Sequence, residues 1–352
     1  AGTHGKTTTT AMTTEILAAA GLDPTGFVGG RVPAWGSGLR AGSGQLYVVE
    51  ADEYDRSFLH LRPDAVAVTT VEADHLDVYG TLDAVENAFA QFVVLVRGEE
   101  QVFVAVCSDD AGTRRLLSRV QGPEVLTYGT SPDAMLRAVQ VETIEGGSRF
   151  RVVERGEQIG TLELACPGMH NVRNALAAFA LARRFGAQLE AAQTALASFS
   201  GVGRRFERLG EAGGITVVSD YAHHPTEIEA TLAAARAVFP GRRLVAVFQP
   251  HLFTRTRDFA DAFGRALAAA DAAVVADVYP ARELPIPGVT GELIAQAARE
   301  AGAHDVHYHA SIETLPDVLL ALLRRGDACV VMGAGNVDAA ARTLARRLEA
   351  RL

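Results

Sequence analysis

The first half of the chain alternates apolar runs with helical segments, a pattern typical of a doubly wound α/β sheet. Residues 6–20 predict a helix, which Gly21 ends. Three apolar runs bounded by turn residues predict buried strands at 46–50, 65–71 and 102–107. Because near-continuous apolar runs suit strands that helices cover on both faces, we expect a parallel sheet here.

The pattern changes between residues 124 and 166, where short segments alternate polar and apolar positions between glycine turns. This alternation predicts a small antiparallel insert. Helical periodicity returns at 170–185 and 189–199. The Gly-Val-Gly break at 201–203 marks the expected domain boundary.

The second half has a more regular alternation, which predicts a Rossmann-like α/β domain over residues 203–352. Strands are predicted at 215–219, 244–248, 273–276 and 329–332. Pro225 suits the first turn of one helix, and the Gly-Ala-Gly-Asn segment at 333–336 opens the last helix. The first domain is expected to span residues 1–202.

Composition narrows the class of protein. The 352-residue chain has a formal charge of −9, and its basic residues are scattered, which argues against a nucleic-acid or anionic membrane partner. Cys107, Cys166 and Cys329 are odd in number and far apart, so we predict neither a disulfide framework nor a zinc site. No apolar run reaches the roughly 18 residues that span a bilayer. We therefore expect a cytoplasmic protein that acts on small molecules.

Lys6 is the only lysine of the chain, and it lies in the segment Gly-Thr-His-Gly-Lys-Thr-Thr. Glycines in such a loop let backbone N–H groups face phosphate oxygens, and a slim ammonium reaches between phosphates where the arginine fork does not fit. The residues expected to bind the phosphates are Gly2, Thr3, His4, Gly5, Lys6, Thr7 and Thr8. Since a loop of this type normally follows a buried strand, we also expect that the first strand of this P-loop domain is missing.

Carboxylates and a histidine follow two of the predicted strands. Glu50 ends the run at 46–50, and His75 lies between acidic residues after the run at 65–71. Ligands of doubly wound sheets bind at this edge, so Thr7 and Glu50 are predicted to hold Mg²⁺, and His75 is predicted to hold a second Mg²⁺ or to orient a water. Acidic residues at strand ends are also ordinary helix caps, and Asp74 and Asp77 fit that role.

Three further polar clusters lie where a ligand is expected. Asn171 and Asn174 open an otherwise apolar helix, and facing a nucleotide base or packing internally explains them equally well. Segments 220–225 and 249–257 each follow a predicted strand of the second domain. Polar clusters at two successive strand ends indicate a substrate-binding face.

In this order along the chain, these segments resemble the Mur ligases. The resemblance rests on residues 2–9, 50–53, 72–77, 170–174, 204–206, 220–227 and 248–251. It spans essentially the whole chain and implies the central ATP-binding domain and the C-terminal domain of that family. The family's N-terminal domain, which grips the UDP part of the substrate, is expected to be absent.

The resemblance implies an ATP-dependent ligase that joins L-alanine to the lactyl carboxylate of UDP-N-acetylmuramate through an acyl phosphate, with Mg²⁺ as metal. It makes these residues catalytic: Lys6, Glu50, His75, His223 and Arg255. In addition to the phosphate loop, the residues implied to bind the nucleotide are Asn171, Asn174 and Arg205. The residues implied to bind the amino acid and the acyl phosphate are Asp220, Tyr221, His223, His251 and Arg255.

Two departures and three alternatives qualify that expectation. Related ligases that add later amino acids often use a second, carbamylated lysine, which this chain lacks, so the alanine-adding branch is favoured. Leu252 stands where some alanine-adding relatives have arginine, which puts a role at that position in doubt. The alternatives are a ligase that recycles murein tripeptide, a P-loop protein that only hydrolyses nucleotide, and a binding fragment inactive alone.

Overall fold

The computed structural model describes residues 1–96, 103–120 and 124–351. It forms two compact units, Ala1–Val202 and Gly203–Leu352. Within the described ranges no helix is long and apolar enough to cross a membrane. Cys107, Cys166 and Cys329 are buried free thiols.

The first unit contains nine strands and six α-helices among its described residues. The strands are β1 (Thr25–Val32), β2 (Ser37–Arg40), β3 (Tyr47–Val49), β4 (Ala65–Val68), β5 (Phe103–Cys107), β6 (Glu124–Gly129), β7 (Leu136–Ile144), β8 (Gly147–Glu154) and β9 (Glu157–Leu164). The helices are α1 (Lys6–Ala19), α2 (Leu76–Tyr79), α3 (Leu82–Val94), α4 (Ala111–Arg119), α5 (Met169–Arg184) and α6 (Leu189–Ala197). Short 3₁₀ segments span Pro33–Trp35 and Tyr54–His60. A strand is present at each of the three positions predicted before residue 110, although Val102, the first residue predicted for β5, lies outside the described residues. The prediction of a buried strand at 46–50 is wrong, because Tyr47 and Val49 of β3 are exposed and β3 pairs in a small sheet apart from β4 and β5.

Two sheets make up this unit. One has the order β2-β1-β3, and the other has the order β4-β5-β6-β7-β8-β9. In the large sheet, strands β4 to β7 run parallel, and the pairs β7–β8 and β8–β9 are antiparallel. In the small sheet, β1 pairs antiparallel with β2 and parallel with β3. The expectation of an antiparallel insert beginning at residue 124 is therefore wrong for β6, which extends the parallel sheet. Helix α4 was not predicted, and it provides the crossover that a parallel β5–β6 pair requires.

Helices cover both faces of the large sheet, as the doubly wound prediction requires. Along β4, Val66 and Val68 pack into a core with α3 and α4, whereas Ala67 packs into a core with α1, α5 and α6. This alternation follows from the period of two along a strand.

Helix α1 is rich in threonine, a residue that favours strands over helices. Thr13 and Thr14 are buried, and their hydroxyls donate to the carbonyls of Thr9 and Thr10, each at 2.8 Å. These bonds satisfy the buried hydroxyls, so tertiary packing outweighs the unfavourable local propensity and the helix carries the phosphate loop on a rigid support.

The second unit contains six strands and five helices among its described residues. The strands are β10 (Glu207–Ala212), β11 (Ile215–Asp220), β12 (Leu244–Phe248), β13 (Ala272–Val275), β14 (Val306–Tyr308) and β15 (Ala328–Met332). The helices are α7 (Pro225–Val238), α8 (Phe253–Leu267), α9 (Gly291–Glu300), α10 (Leu315–Leu322) and α11 (Val337–Glu349). The four predicted strands and both predicted helix starts are present.

The sheet of this unit has the order β10-β11-β15-β12-β13-β14, in which only the edge strand β10 runs antiparallel. Strands β11, β12, β13 and β15 are buried along their whole length. Val218 packs toward α7, α8 and α9, and Val217 packs toward α10 and α11, so helices cover both faces. The Rossmann-like prediction for this half is confirmed.

Helix α4 packs closely against the segment after β4 at Gly112, which lies in the first turn of the helix. A Cβ added at Gly112 would lie 1.7 Å from the carbonyl oxygen of Val71. We expect Gly112→Ala to lower the free energy of unfolding of this unit by about 1–3 kcal/mol, because the clash with backbone outweighs the helix propensity gained. Urea unfolding followed by Trp35 fluorescence measures it, since Trp35 is the only tryptophan and reports this unit.

The matched control is Ser118→Ala on the exposed side of the same helix. It should change the free energy of unfolding by less than about 0.5 kcal/mol. Equal stabilities for the two variants would contradict the packing described for α4.

Candidate active site

The phosphate loop turns at two glycines that no other residue could replace without strain. Gly2 and Gly5 have φ values of 141° and 82°. A Cβ at Gly2 would lie 2.0 Å from Thr69 Oγ1, and one at Gly5 would lie 2.4 Å from Asn174 Oδ1. Both positions therefore need glycine for conformation and for space.

Backbone amides of the loop divide into two groups. Thr3 N donates to Thr70 O and His4 N donates to Thr70 Oγ1, each at 2.9 Å. These bonds fasten the loop to the segment after β4. Helix α1 begins at Lys6 with no side-chain cap, and first-turn amides have no acceptor within a helix. The amides of Lys6, Thr7 and Thr8 are therefore the part of the predicted cradle that best suits an anion, beside the positive end of the helix dipole.

The Lys6 ammonium is bound inside the loop. Its Nζ donates to Gly2 O at 2.7 Å, to Thr3 O at 3.3 Å and to Glu53 Oε1 at 2.8 Å. Glu53 is only 2% exposed. The sequence motifs indicate no role for this glutamate, which the fold brings to Lys6 across 47 residues of sequence.

Thr7 and Glu50 form a pair of oxygen donors next to Lys6. The Thr7 hydroxyl donates to Glu50 Oε1 at 3.0 Å, and Glu50 Oε2 accepts from Gly29 N at 2.7 Å. A hydroxyl and a carboxylate at the start of a phosphate-loop helix are the ligands that Mg²⁺ prefers, so these residues fit that metal.

His75 lies beside Glu53. Its Nε2 is 3.8 Å from Glu53 Oε1 and 3.7 Å from Asp74 Oδ2, and its ring packs edge-on against Tyr54. His75 has φ 53°, an uncommon conformation for a residue with a side chain. The structure thus places His75 with Lys6 around Glu53, whereas Glu50 is bonded to Thr7 and Gly29.

A cavity of about 330 Å³ borders Lys6 between β3 and β4. Its lining is mostly apolar and includes Leu17, Leu46, Val48, Val66 and Phe92. Apolar walls cannot replace the hydration of a triphosphate, so we assign the phosphates to the amides of the loop and not to this cavity.

The predicted base-facing asparagines lie in an internal network. Asn171 Nδ2 donates to Pro167 O at 2.7 Å, and Asn174 Nδ2 donates to Asn171 Oδ1 at 3.2 Å. Both residues are buried. Because Asn174 also packs on Gly5, the start of α5 contacts the phosphate loop directly.

Asp109, after β5, anchors the same helix through Arg173. Arg173 Nε donates to Asp109 Oδ2 at 2.7 Å, and the carboxylate also accepts from Thr130 N, Thr130 Oγ1 and Ser131 N. Burial opposes the charge of Asp109, but these hydrogen bonds outweigh burial and hold the pKa of the carboxyl well below its usual range. No motif in the sequence indicates a role for Asp109.

In the second unit, Asp220 holds the turn after β11. Its oxygens accept from Phe206 N and Ala222 N, each at 2.7 Å, and burial raises the pKa of its carboxyl. The guanidinium groups of Arg204 and Arg205 lie 4.8 Å and 5.0 Å from the ring centre of Tyr221. Asp220 therefore stabilises the turn by accepting backbone hydrogen bonds. The two arginines and Tyr221 form the cationic and aromatic surface beside it.

Glu227, in the first turn of α7, binds the histidine segment. Its Oε2 accepts from His223 N at 2.9 Å and from His224 N at 3.2 Å, and it lies 3.1 Å from His223 Nδ1. Arg205 Nη1 is 3.5 Å from the other oxygen of Glu227. This carboxylate thus connects two of the predicted site residues.

His251, after β12, stacks on Tyr279, after β13, with ring centres 5.7 Å apart. Its Nδ1 lies 3.5 Å from Arg255 Nη1. His251 also meets His223, whose ring centre is 6.1 Å away. The rings of Tyr221, His223, His251 and Tyr279 form a continuous row across this edge of the sheet. Sequence reasoning missed Tyr279, although its place just after a predicted strand was the signal that identified His251.

Leu252 is buried and contributes to packing at the start of α8. It is 4% exposed, has φ 72°, and its N–H donates to Tyr279 O at 3.0 Å. Its side chain is packed away from solvent, and its backbone ties the start of α8 to the Tyr279 segment.

A phosphate loop at the start of a helix, on a doubly wound sheet and followed by a Rossmann-like unit, defines the class of P-loop α/β enzymes. The model of the Mur ligase middle domain matches residues 1–182, and the model described as Mur ligase, glutamate ligase domain, matches residues 204–335. The chain belongs to the Mur ligase family, which confirms the resemblance seen in the motifs.

Comparison with individual members of the family shows which of them this chain is similar to. UDP-N-acetylmuramate–L-alanine ligase of Salinibacter ruber is 48% identical over 351 residues, which cover 99% of this chain and 73% of the relative. The crystal structure of UDP-N-acetylmuramate-alanine ligase from Thermotoga maritima matches with a TM-score of 0.83 at 28% identity, over 100% of this chain and 75% of that one. A murein peptide ligase from Psychrobacter arcticus matches with a TM-score of 0.71 at 25% identity, over 99% and 76%.

The depressed pKa of Asp109 predicts a pH dependence of stability. A carboxyl whose pKa is lower in the folded than in the unfolded chain stabilises fully above about pH 4 and loses that contribution as the pH falls toward the folded value. Asp109→Asn should therefore cost about 2–3 kcal/mol in the free energy of unfolding at pH 7. The difference from the unsubstituted protein should shrink below about pH 4.

Urea unfolding of the first unit by Trp35 fluorescence, repeated from pH 7 to pH 3, measures this difference. Asp133→Asn is the control, because Asp133 is exposed just after Thr130 and Ser131, and its substitution should change the free energy of unfolding by less than about 0.5 kcal/mol. A difference for Asp109→Asn that stays constant with pH would contradict the assigned role of the carboxylate.

Proposed function

We propose that the protein is the ATP-dependent ligase that joins L-alanine to the lactyl carboxylate of UDP-N-acetylmuramate, in peptidoglycan precursor synthesis. The observation that carries the proposal is the ammonium of Lys6 beside the Thr7–Glu50 oxygen pair at the start of α1. Identity of 48% with an alanine-adding ligase over 99% of the chain supports the choice of substrates.

The first unit binds the triphosphate. The first-turn amides of α1 and the Lys6 ammonium receive the phosphate oxygens, and Asn174 together with the Asp109–Arg173 pair keeps the start of α5 against the loop. Thr7 and Glu50 would hold Mg²⁺, and His75 is the proposed ligand of a second ion. Mg²⁺ at these residues would supply positive charge that offsets the negative charge of the phosphates.

The second unit binds the amino acid and the acyl phosphate. Arg205 and Arg255 supply positive charge for the phosphorylated carboxylate, and Tyr221, His223 and His251 form the wall against which the amino acid lies. Asp220 keeps the turn that presents Tyr221. No covalent intermediate with the protein is needed, so positioning and charge stabilisation supply the catalysis.

We place the reaction in the cytoplasm. Three buried free thiols suit a reducing compartment, and the proposed nucleotide substrates are cytoplasmic compounds.

The tripeptide-recycling ligase is the second candidate, because a murein peptide ligase shares the fold at a TM-score of 0.71. Among the solved structures the alanine-adding ligase matches better, with a TM-score of 0.83 at 28% identity against 0.71 at 25%, which favours L-alanine.

Phosphate release by the full-length enzyme, assayed with ATP, Mg²⁺ and UDP-N-acetylmuramate against a panel of amino acids and murein tripeptide, tests the function. We expect release that depends on L-alanine. Release that depends on the tripeptide would identify the recycling ligase, and release without any amino acid would identify a simple nucleotide hydrolase.

Lys6→Arg tests the role of the ammonium within that reaction. The planar fork of arginine keeps the charge but not the shape, so we expect turnover to fall about a hundredfold or more, the usual cost of losing one well-placed charge stabiliser. The initial rate of L-alanine-dependent phosphate release measures it. Near-normal turnover in a folded variant would refute the assignment of Lys6.

A further inference from the structure

We propose that Glu53 is a positioning residue, which fixes the Lys6 ammonium across the phosphate loop and holds His75 beside it. The inference deepens the proposed function and rests on it, because Lys6 and His75 are assigned there to the nucleotide and its metal.

The contact between Glu53 and Lys6 determines where the ammonium lies. Nζ is 2.8 Å from each oxygen of the carboxylate. An ammonium has three N–H groups, and here the acceptors are Glu53 and the carbonyls of Gly2 and Thr3. The two carbonyls belong to the loop itself, so Glu53 is the contact that ties the lysine to a different part of the fold.

Glu53 is itself held rigidly. Its carbonyl accepts from the hydroxyl of Tyr79 at 2.5 Å and from Arg56 N at 2.9 Å. Burial, together with the nearby charge of Glu53, raises the pKa of Tyr79 to about 12, so its hydroxyl keeps the proton it donates. Asp55 and Arg56 follow with φ values of 51° and 56°, an unusual pair of left-handed residues that turns the chain sharply after Glu53.

One carboxylate oxygen of Glu53 serves both partners. Oε1 accepts from Lys6 and lies 3.8 Å from His75 Nε2. Glu53 therefore lies between the two side chains that the sequence singled out separately, and its position sets the distance between them.

The geometry favours a positioning role over metal binding. Both oxygens of Glu53 face the ammonium, so a divalent cation on the same carboxylate would lie next to a like charge. The oxygen donors assigned to a metal are the hydroxyl of Thr7 and the carboxylate of Glu50, which bind each other, so that site does not need Glu53.

Chemical labelling of the only lysine isolates this contact. Lys6 is 14% exposed at its side chain and paired with a buried carboxylate, so acylation by an amine-selective reagent should be slow. In Glu53→Gln we expect the acylation rate of Lys6, followed by peptide mass spectrometry without nucleotide or metal, to rise about tenfold or more. Asp52→Asn removes the same charge from an exposed neighbour and should change the rate less than twofold.

Steady-state ligation supplies the second readout. For Glu53→Gln, kcat should fall about tenfold or more, while KM for L-alanine and the Mg²⁺ concentration at half-maximal rate stay within about twofold. An unchanged acylation rate together with a raised Mg²⁺ requirement would overturn the proposal and make Glu53 a metal ligand. Should Glu53→Gln not fold, Tyr79→Phe removes the hydroxyl that holds Glu53 and should raise the acylation rate in the same direction, less strongly; no rise in that variant would also count against the proposal.

The two readouts separate this inference from the function it rests on. Acylation is measured on the resting protein and needs no substrate. A raised acylation rate in Glu53→Gln, with wild-type phosphate release that is independent of L-alanine, would support the positioning role while refuting the proposed function.

Discussion

The first unit depends on how one positive charge is held at the positive end of a helix. Lys6 is the first residue of α1, where the helix dipole disfavours a cation and favours an anion. Two loop carbonyls and the buried Glu53 carboxylate stabilise the ammonium there. The same arrangement suits a triphosphate, because phosphate oxygens complement both the first-turn amides and the lysine.

In both units the candidate site residues lie after the carboxyl ends of parallel strands. In the first unit, Glu50 follows β3, His75 lies beyond β4 and Asp109 follows β5. In the second, Tyr221 and His251 follow β11 and β12, and Tyr279 lies beyond β13. Except for β3, which is partly exposed, these parallel strands are mostly buried and hold the residues on a rigid frame. Such a frame suits a reaction that relies on positioning and charge stabilisation.

The sequence predicted the elements that have a clear apolar run and the phosphate loop that has a recognisable motif. It did not predict contacts between residues that are far apart in the sequence and that only the fold brings together. Fully apolar runs identified β4, β5 and most strands of the second unit, and the lysine motif located the phosphate loop. The short or partly exposed strands β1, β2 and β14 carry no such run, so periodicity did not reveal them. The alternation at 124–129 suggested an antiparallel strand because helix α4, which makes the crossover, had not been recognised.

Side-chain partners were the least predictable feature. Glu53 was visible within a motif, yet its contact with Lys6 spans 47 residues and depends on the turn that Tyr79 secures. Asp109 and Arg173 are 64 residues apart, and no local spacing connects them. Asn171 and Asn174 were equally consistent with a base-binding and a packing role, and their hydrogen bonds to Pro167 and to each other are of the packing kind.

Protection of Lys6 by bound nucleotide is the most direct test of the central claim. The acylation rate of Lys6 in the unsubstituted full-length enzyme would be measured with saturating Mg²⁺ and ATP and compared with the rate without them. If the ammonium binds the phosphates, the rate should fall about tenfold or more. Binding of ATP, demonstrated by calorimetry in the same sample, with no change in the acylation rate would contradict the account.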